Sequence, residues 1–127
     1  MFEINDQQFS DIISRAMDKL PHEYIEKLNN VAITYENLPS PEQRQKLRLR
    51  CDQTLFGLYE GIPLTKRGAG YNLVLPDKIT IFKLPILQSS NSIEQVFAQV
   101  KHTLWHEIAH FFGLDHDRIH EIERNWR

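Results

Sequence analysis

The sequence predicts an α+β domain in which helices pack around a small sheet of three or four strands. Three observations carry that expectation. Toward both ends, apolar residues recur at three- and four-residue steps, the period of a helix. Between those ends lie short runs rich in β-branched and aromatic residues, which suit a pleated, half-buried surface. Near the C-terminus a long amphipathic stretch sets His102, His106 and His110 on a stripe beside its apolar one.

The elements follow in order. Phe9, Ile12, Ile13, Ala16, Met17 and Leu20 share one face of a helix from Asp6 to Leu20, with Asn5 or Asp6 as its cap. Pro21 ends it, and residues His22 to Leu28 form a short second helix broken by Asn29 and Asn30. His22 reads as a surface residue, since no second histidine stands near it at ligand spacing. Val31 to Glu36 is a strand. Ser40-Pro41-Glu42-Gln43 is a helix-start signature, and a mostly polar helix runs from it to about Asp52 with Leu47 and Leu49 as sparse anchors.

Leu55 to Gly61 reads as a short, glycine-interrupted strand, and Lys66 to Gly70 as a turn. Gly68-Ala69-Gly70 lacks the third glycine, the strand and the helix of a phosphate loop. Lys78 to Leu84 alternates like a half-buried strand; Pro85 ends it and suggests an edge position. After a capping stretch from Ser89 to Ser92, a long helix spans Ile93 to Phe112. Its apolar stripe is Ile93, Val96, Phe97, Val100, Leu104, Ile108 and Phe111. Asp117 to Trp126 forms a final helix anchored by Ile119, Ile122 and Trp126.

Composition narrows the function classes. At 127 residues the chain is one domain, 1–127, large enough to bury a core without staples. The net charge is −2 and no basic stripe appears, which argues against nucleic acid. Arg44, Lys46, Arg48 and Arg50 read as a solvated helix face. The single cysteine, Cys51, excludes an intrachain disulfide and reads as a small apolar residue. The N-terminus has neither the basic nor the apolar region of a signal peptide, and no run is long enough to span a membrane. A cytoplasmic monomer is the expectation.

The chemistry is concentrated in His106-Glu107-Ile108-Ala109-His110-Phe111-Phe112-Gly113-Leu114-Asp115-His116. Histidines four apart on a helix lie about 40° apart in azimuth and one turn apart in height, so both imidazoles reach one metal ion. Glu107 projects to the side, placed to hold a water rather than the metal. Gly113 lets the chain leave the helix in a left-handed conformation, and His116 then folds back as a third ligand. Three protein ligands with an open fourth position is the arrangement of a catalytic zinc site. A chain of this composition produces the full pattern by chance only roughly 0.00004 times. Asp115 and Asp117 flank His116 as competing oxygen ligands, and either can instead orient a ligand imidazole.

At this motif the chain resembles the zincin metallopeptidases, with the spacing of the metzincin clan. Gly57-Leu58-Tyr59-Glu60-Gly61-Ile62-Pro63-Leu64-Thr65, Pro76-Asp77-Lys78-Ile79-Thr80-Ile81-Phe82 and the motif run together resemble, over roughly residues 8 to 118, the small bacterial minimal zincin family. That resemblance implies a compact α+β fold with a few-stranded sheet on the motif helix, a bacterial cytoplasmic origin and zinc at the motif. One departure stands out. Metzincins carry a methionine-bearing turn after the third histidine, whereas the methionines here are Met1 and Met17.

The expected chemistry is peptide-bond hydrolysis by a zinc-activated water, with His106, His110 and His116 as ligands and Glu107 as general base, on a peptide or protein substrate. Candidate oxyanion partners are Tyr59, Tyr71, His102 and His120. The Lys78 to Leu84 strand, if it is an edge, is where an extended peptide adds. Two other readings share the site: a zinc-stabilised binding or regulatory domain with little turnover, in which the metal contributes folding energy, and a zinc amidase acting on a non-peptide substrate.

Overall fold

Reciprocal caps start the helices where the sequence places them. The Asn5 side chain accepts the Gln8 backbone N–H and the Gln8 side chain accepts that of Asn5, both at 2.8 Å. Ser40 and Gln43 repeat the arrangement at 3.1 and 2.9 Å. In the computed structural model, which describes residues 3–48, 56–62 and 76–125, the order is α1 (Asp6–Asp18), α2 (His22–Ile25), β1 (Val31–Glu36), α3 (Pro41–Arg48), β2 (Gly57–Glu60), β3 (Asp77–Phe82), α4 (Lys83–Gln88), α5 (Ile93–Phe112) and α6 (His116–Arg124). The readings placed on residues 49–52, 55, 63–71 and 126, and on the side chains of Lys46, Leu47 and Arg48, lie outside the described residues.

The sheet has the order β1-β3-β2. β1 runs parallel to β3, with Ile33 opposite Ile79. β2 runs antiparallel to it, with Gly57 opposite Ile81 and Glu60 opposite Lys78. This α+β architecture is the expected one, with two corrections: Lys83 and Leu84, expected in the last strand, instead open α4, and the place of that strand in the sheet differs. The strand that Pro85 marked as an edge is the central one. Pro85 belongs to the first turn of α4, where a missing backbone N–H costs nothing because that N–H has no intrahelical partner. Proline there starts a helix and carries no information about the sheet edge. The edges among the described residues are β1 and β2, so a peptide cannot add to β3.

One face of the sheet packs on α1 and α5. Phe9, Ile12, Ile79, Ile81, Val100, Leu104 and Ile108 are all buried in a single apolar cluster. β1 shows strict alternation, with Val31, Ile33 and Tyr35 turned toward the cluster and Ala32, Thr34 and Glu36 exposed. On α5 the expected apolar stripe is buried except at its start, where Ile93 lies exposed and Phe97 half-buried. Among the described residues no helix is long and apolar enough to cross a membrane.

Residue 57 decides how closely β2 and α5 approach. A Cβ at Gly57 would stand 2.5 Å from Cγ2 of Thr103 on α5 and 3.2 Å from the Thr80 carbonyl oxygen. Thr103 is itself buried. Gly57→Ala therefore overpacks this contact and should destabilise the protein by about 1–3 kcal/mol. Thr103→Ala removes the clashing methyl, so the double variant should recover part of that loss, a coupling read from urea unfolding of the four proteins in the cycle. Additive effects would show that the two residues do not set the strand–helix distance.

Candidate metal centre

Three stripes of α5 organise the site. Thr103, Glu107 and Phe111, one helical turn apart, face β2. Thr103 meets Gly57, the Glu107 carboxylate meets the Tyr59 backbone, and the Phe111 ring meets the Tyr59 ring edge-on at 6.2 Å. His102, His106 and His110 occupy the stripe one residue back, rotated about 100° toward solvent. Leu104 and Ile108, one residue forward of the β2-facing stripe, are buried in the core.

The contact at Tyr59 follows from strand register. Phe82 N–H donates to the Phe56 carbonyl at 2.8 Å. Alternation along an antiparallel pair then gives Gly57 and Tyr59 backbone groups that point away from β3. The outward Tyr59 N–H donates to Glu107 Oε1 at 2.8 Å. Glu107 is 0 % exposed. Burying a carboxylate is costly unless donors or a cation satisfy it, and the edge-strand amide is one such donor.

His106 and His110 are half-buried on either side of Glu107 in sequence. One donor atom from each of His106, Glu107 and His110 can be chosen so that all three lie within 4.8 Å of one another, a group able to hold a metal ion. His116 stands outside this group, exposed, at the first position of α6. Its ring centroid is 6.2 Å from that of His106 and 6.4 Å from that of His110, while the His106 and His110 centroids are 4.8 Å apart. Three imidazoles placed tetrahedrally on one zinc, with bonds near 2.0–2.1 Å, would have centroids roughly 5 Å apart. His116 is thus about 1 Å outside a closed triad. Three imidazoles around a buried carboxylate form a donor set that fits zinc.

The turn between α5 and α6 brings His116 to this side. Gly113 adopts φ 73° and ψ 26°. Gly113 N–H donates to the His110 carbonyl at 3.0 Å and Leu114 N–H to that of Ala109 at 3.1 Å. This paired pattern closes a helix with a left-handed glycine. Asp115 then caps α6, its side chain accepting the Arg118 N–H at 2.8 Å, so the cap already occupies one oxygen of that competing ligand. Asp117 is exposed in the first turn of α6.

Buried Ile119 anchors α6, and the Trp105 indole N–H reaches its carbonyl at 3.4 Å. Arg118 pairs with Glu121 at 2.7 Å. The Tyr24 hydroxyl, followed by Glu121, raises the guanidinium pKa above its already high range.

The remaining sequence candidates fall elsewhere. The Tyr59 hydroxyl donates to Asp77 Oδ2 at 2.5 Å, so it is engaged within the sheet. His102 and His120 both face Glu123. His22 is exposed, its ring nitrogen 3.2 Å from the Asp18 carbonyl. Sequence reasoning missed the Tyr59 backbone amide and Glu123. A glycine interrupting a strand signals close backbone approach, and Gly57 carried that signal. Nothing in the pattern marked Glu123.

A family model described as zincin-like metallopeptidase matches residues 28–126. A comparison with curated proteins gave no match. The Tyr59 amide, on the outer side of an edge strand, should be protected from hydrogen exchange by its bond to Glu107. A bond to a charged acceptor contributes about 1.5–3 kcal/mol, so Glu107→Ala should speed exchange at Tyr59 about tenfold or more. Leu58, paired with Thr80 across the sheet, should be unaffected; equal exchange at Tyr59 in both proteins would remove the bond from the site.

Proposed function

The chain belongs to the zincin-like metallopeptidase family, and from that premise we propose that it is a zinc-dependent peptidase with His106, His110 and His116 as ligands and Glu107 as general base. The observation that carries this reading is the seat of Glu107, fully buried beside the two helical histidines and bound to a backbone amide at 2.8 Å. A purely structural metal site has no use for a carboxylate held in that way; it is closed by a fourth protein ligand.

Zinc, when bound, supplies the Lewis acidity that lowers a water's pKa to about 7 and polarises a carbonyl. The protein's residues do the rest. The Tyr59 N–H fixes the orientation of the Glu107 carboxylate, so the base needs no rearrangement before it accepts a proton from the attacking water. Glu107 then passes that proton to the leaving amine. His106 and His110 are rigid because α5 is rigid around them. His116 moves the remaining distance from an exposed position, and the short α5–α6 turn limits its search.

Glu107→Gln is the direct test. Gln keeps the size and the acceptor for Tyr59 but cannot take a proton. The variant should bind zinc as the wild type does and lose about 100- to 10,000-fold in peptide hydrolysis, measured on fragments cleaved from a peptide library. Unchanged hydrolysis in Glu107→Gln, or no hydrolysis by folded, zinc-loaded wild type, would overturn the proposal.

A further inference from the structure

Five of the six histidines gather around α5 and α6, and the proposed peptidase site uses three of them. The other two converge on one carboxylate. His102 Nδ1, from α5, stands 3.5 Å from Glu123 Oε1. His120 Nδ1, one helical turn before Glu123 on α6, stands 3.5 Å from Oε2. From these positions we propose that His102, His120 and Glu123 form a second divalent-metal site, for zinc or another transition ion that takes nitrogen and oxygen donors.

Three features support it. The first is spacing. A distance of 3.5 Å exceeds the usual 2.7–3.2 Å of a hydrogen bond. Each is close to the roughly 3.4 Å that separates two donors on one tetrahedral zinc with bonds of about 2.0–2.1 Å; the two histidines approach different oxygens, so both rings turn inward to share one ion. The second is an orphan. Glu123 Oε1 is buried and has no hydrogen-bond donor among the described residues. Such an atom is normally satisfied by a protein group, a water or an ion, and a cation between it and His102 would satisfy it. The third is access. The side chains of His102 and His120 are 54 % and 57 % exposed. An ion can therefore reach them, and exposed rings can turn toward it.

The donor types agree with the assignment. Two imidazoles and a carboxylate match the borderline-soft preference of zinc, and calcium or magnesium would be poor occupants. The second site shares no ligand with the first. It borders it on both flanks, because the His102 ring stacks with His106 at 6.2 Å and the His120 ring lies 6.5 Å from that of His116. An ion there cross-links α5 to α6, the helix that begins with His116.

The test is a zinc titration of chelator-stripped full-length protein, followed by calorimetry and by metal analysis after dialysis, with circular dichroism confirming that each variant is folded. Wild type should take up two equivalents of zinc. His102→Ala and His120→Ala, both exposed positions, should each take up one, as should Glu123→Gln. The double variant His106→Ala/His110→Ala should also retain one equivalent, and adding His120→Ala to it should abolish binding. His22→Ala is the control for adventitious surface binding and should keep two. A wild type that saturates at one equivalent, with that equivalent lost in His106→Ala/His110→Ala, would overturn the second site and leave the peptidase site standing. Two equivalents in both His102→Ala and His120→Ala would overturn it as well. One equivalent lost only with His120→Ala would support the second site while removing the first.

Discussion

The hydrogen bond between the Tyr59 backbone amide and Glu107 is the constraint on which the rest of the site depends. It joins an edge strand to the motif helix through a carboxylate that is fully removed from water. A buried charge of that kind persists only when its surroundings satisfy it. Here one such group is an outward-facing amide that the sheet leaves unused. The contact exists because Gly57 lets β2 lie against Thr103. A side chain at that residue would push the strand away, and the amide would go with it. Sheet register, one glycine and one helical turn thus fix the orientation of the Glu107 carboxylate.

The second half of the site hangs on a short turn. α5 ends at a left-handed glycine and α6 begins three residues later under the cap of Asp115. α6 is then held by Ile119 and Trp105. The turn delivers His116 near His106 and His110 without bringing the three rings together. The pair on α5 is positioned by a long buried helix, and His116 by an exposed first turn. Whatever fastens α6 to α5, including an ion on Glu123, bears on how well His116 is presented.

Much of this was legible in the sequence because periodicity and capping are local. Asn5, Ser40 and Ser92 cap their helices, and Gly113 ends α5 in the left-handed region its residue type suggests. β1 runs from Val31 to Glu36 as its β-branched run implies. The His106-Glu107-His110 group assembles because helical spacing alone determines it. What was not legible depends on tertiary pairing. Pro85 looked like the end of an edge strand, since a proline that starts a helix and one that stops a strand leave the same local trace. Strand order then reversed the inference. The partner of Glu107 was invisible because it is a backbone amide, and its availability follows from register rather than residue type. Glu123 was missed because its two histidines lie on different helices.

Zinc K-edge absorption on the His120→Ala protein, loaded with one equivalent of zinc, tests the central claim most directly, because it reads the ligands of the metal rather than the consequences of losing them. With Glu107 as base and not ligand, the spectrum should show three imidazole nitrogens at about 2.0–2.1 Å. It should be unchanged in Glu107→Gln, where the motif position no longer carries a charge. A first shell holding two imidazoles and a carboxylate oxygen that disappears in Glu107→Gln would contradict it, since the residue assigned to move the proton would be holding the metal instead.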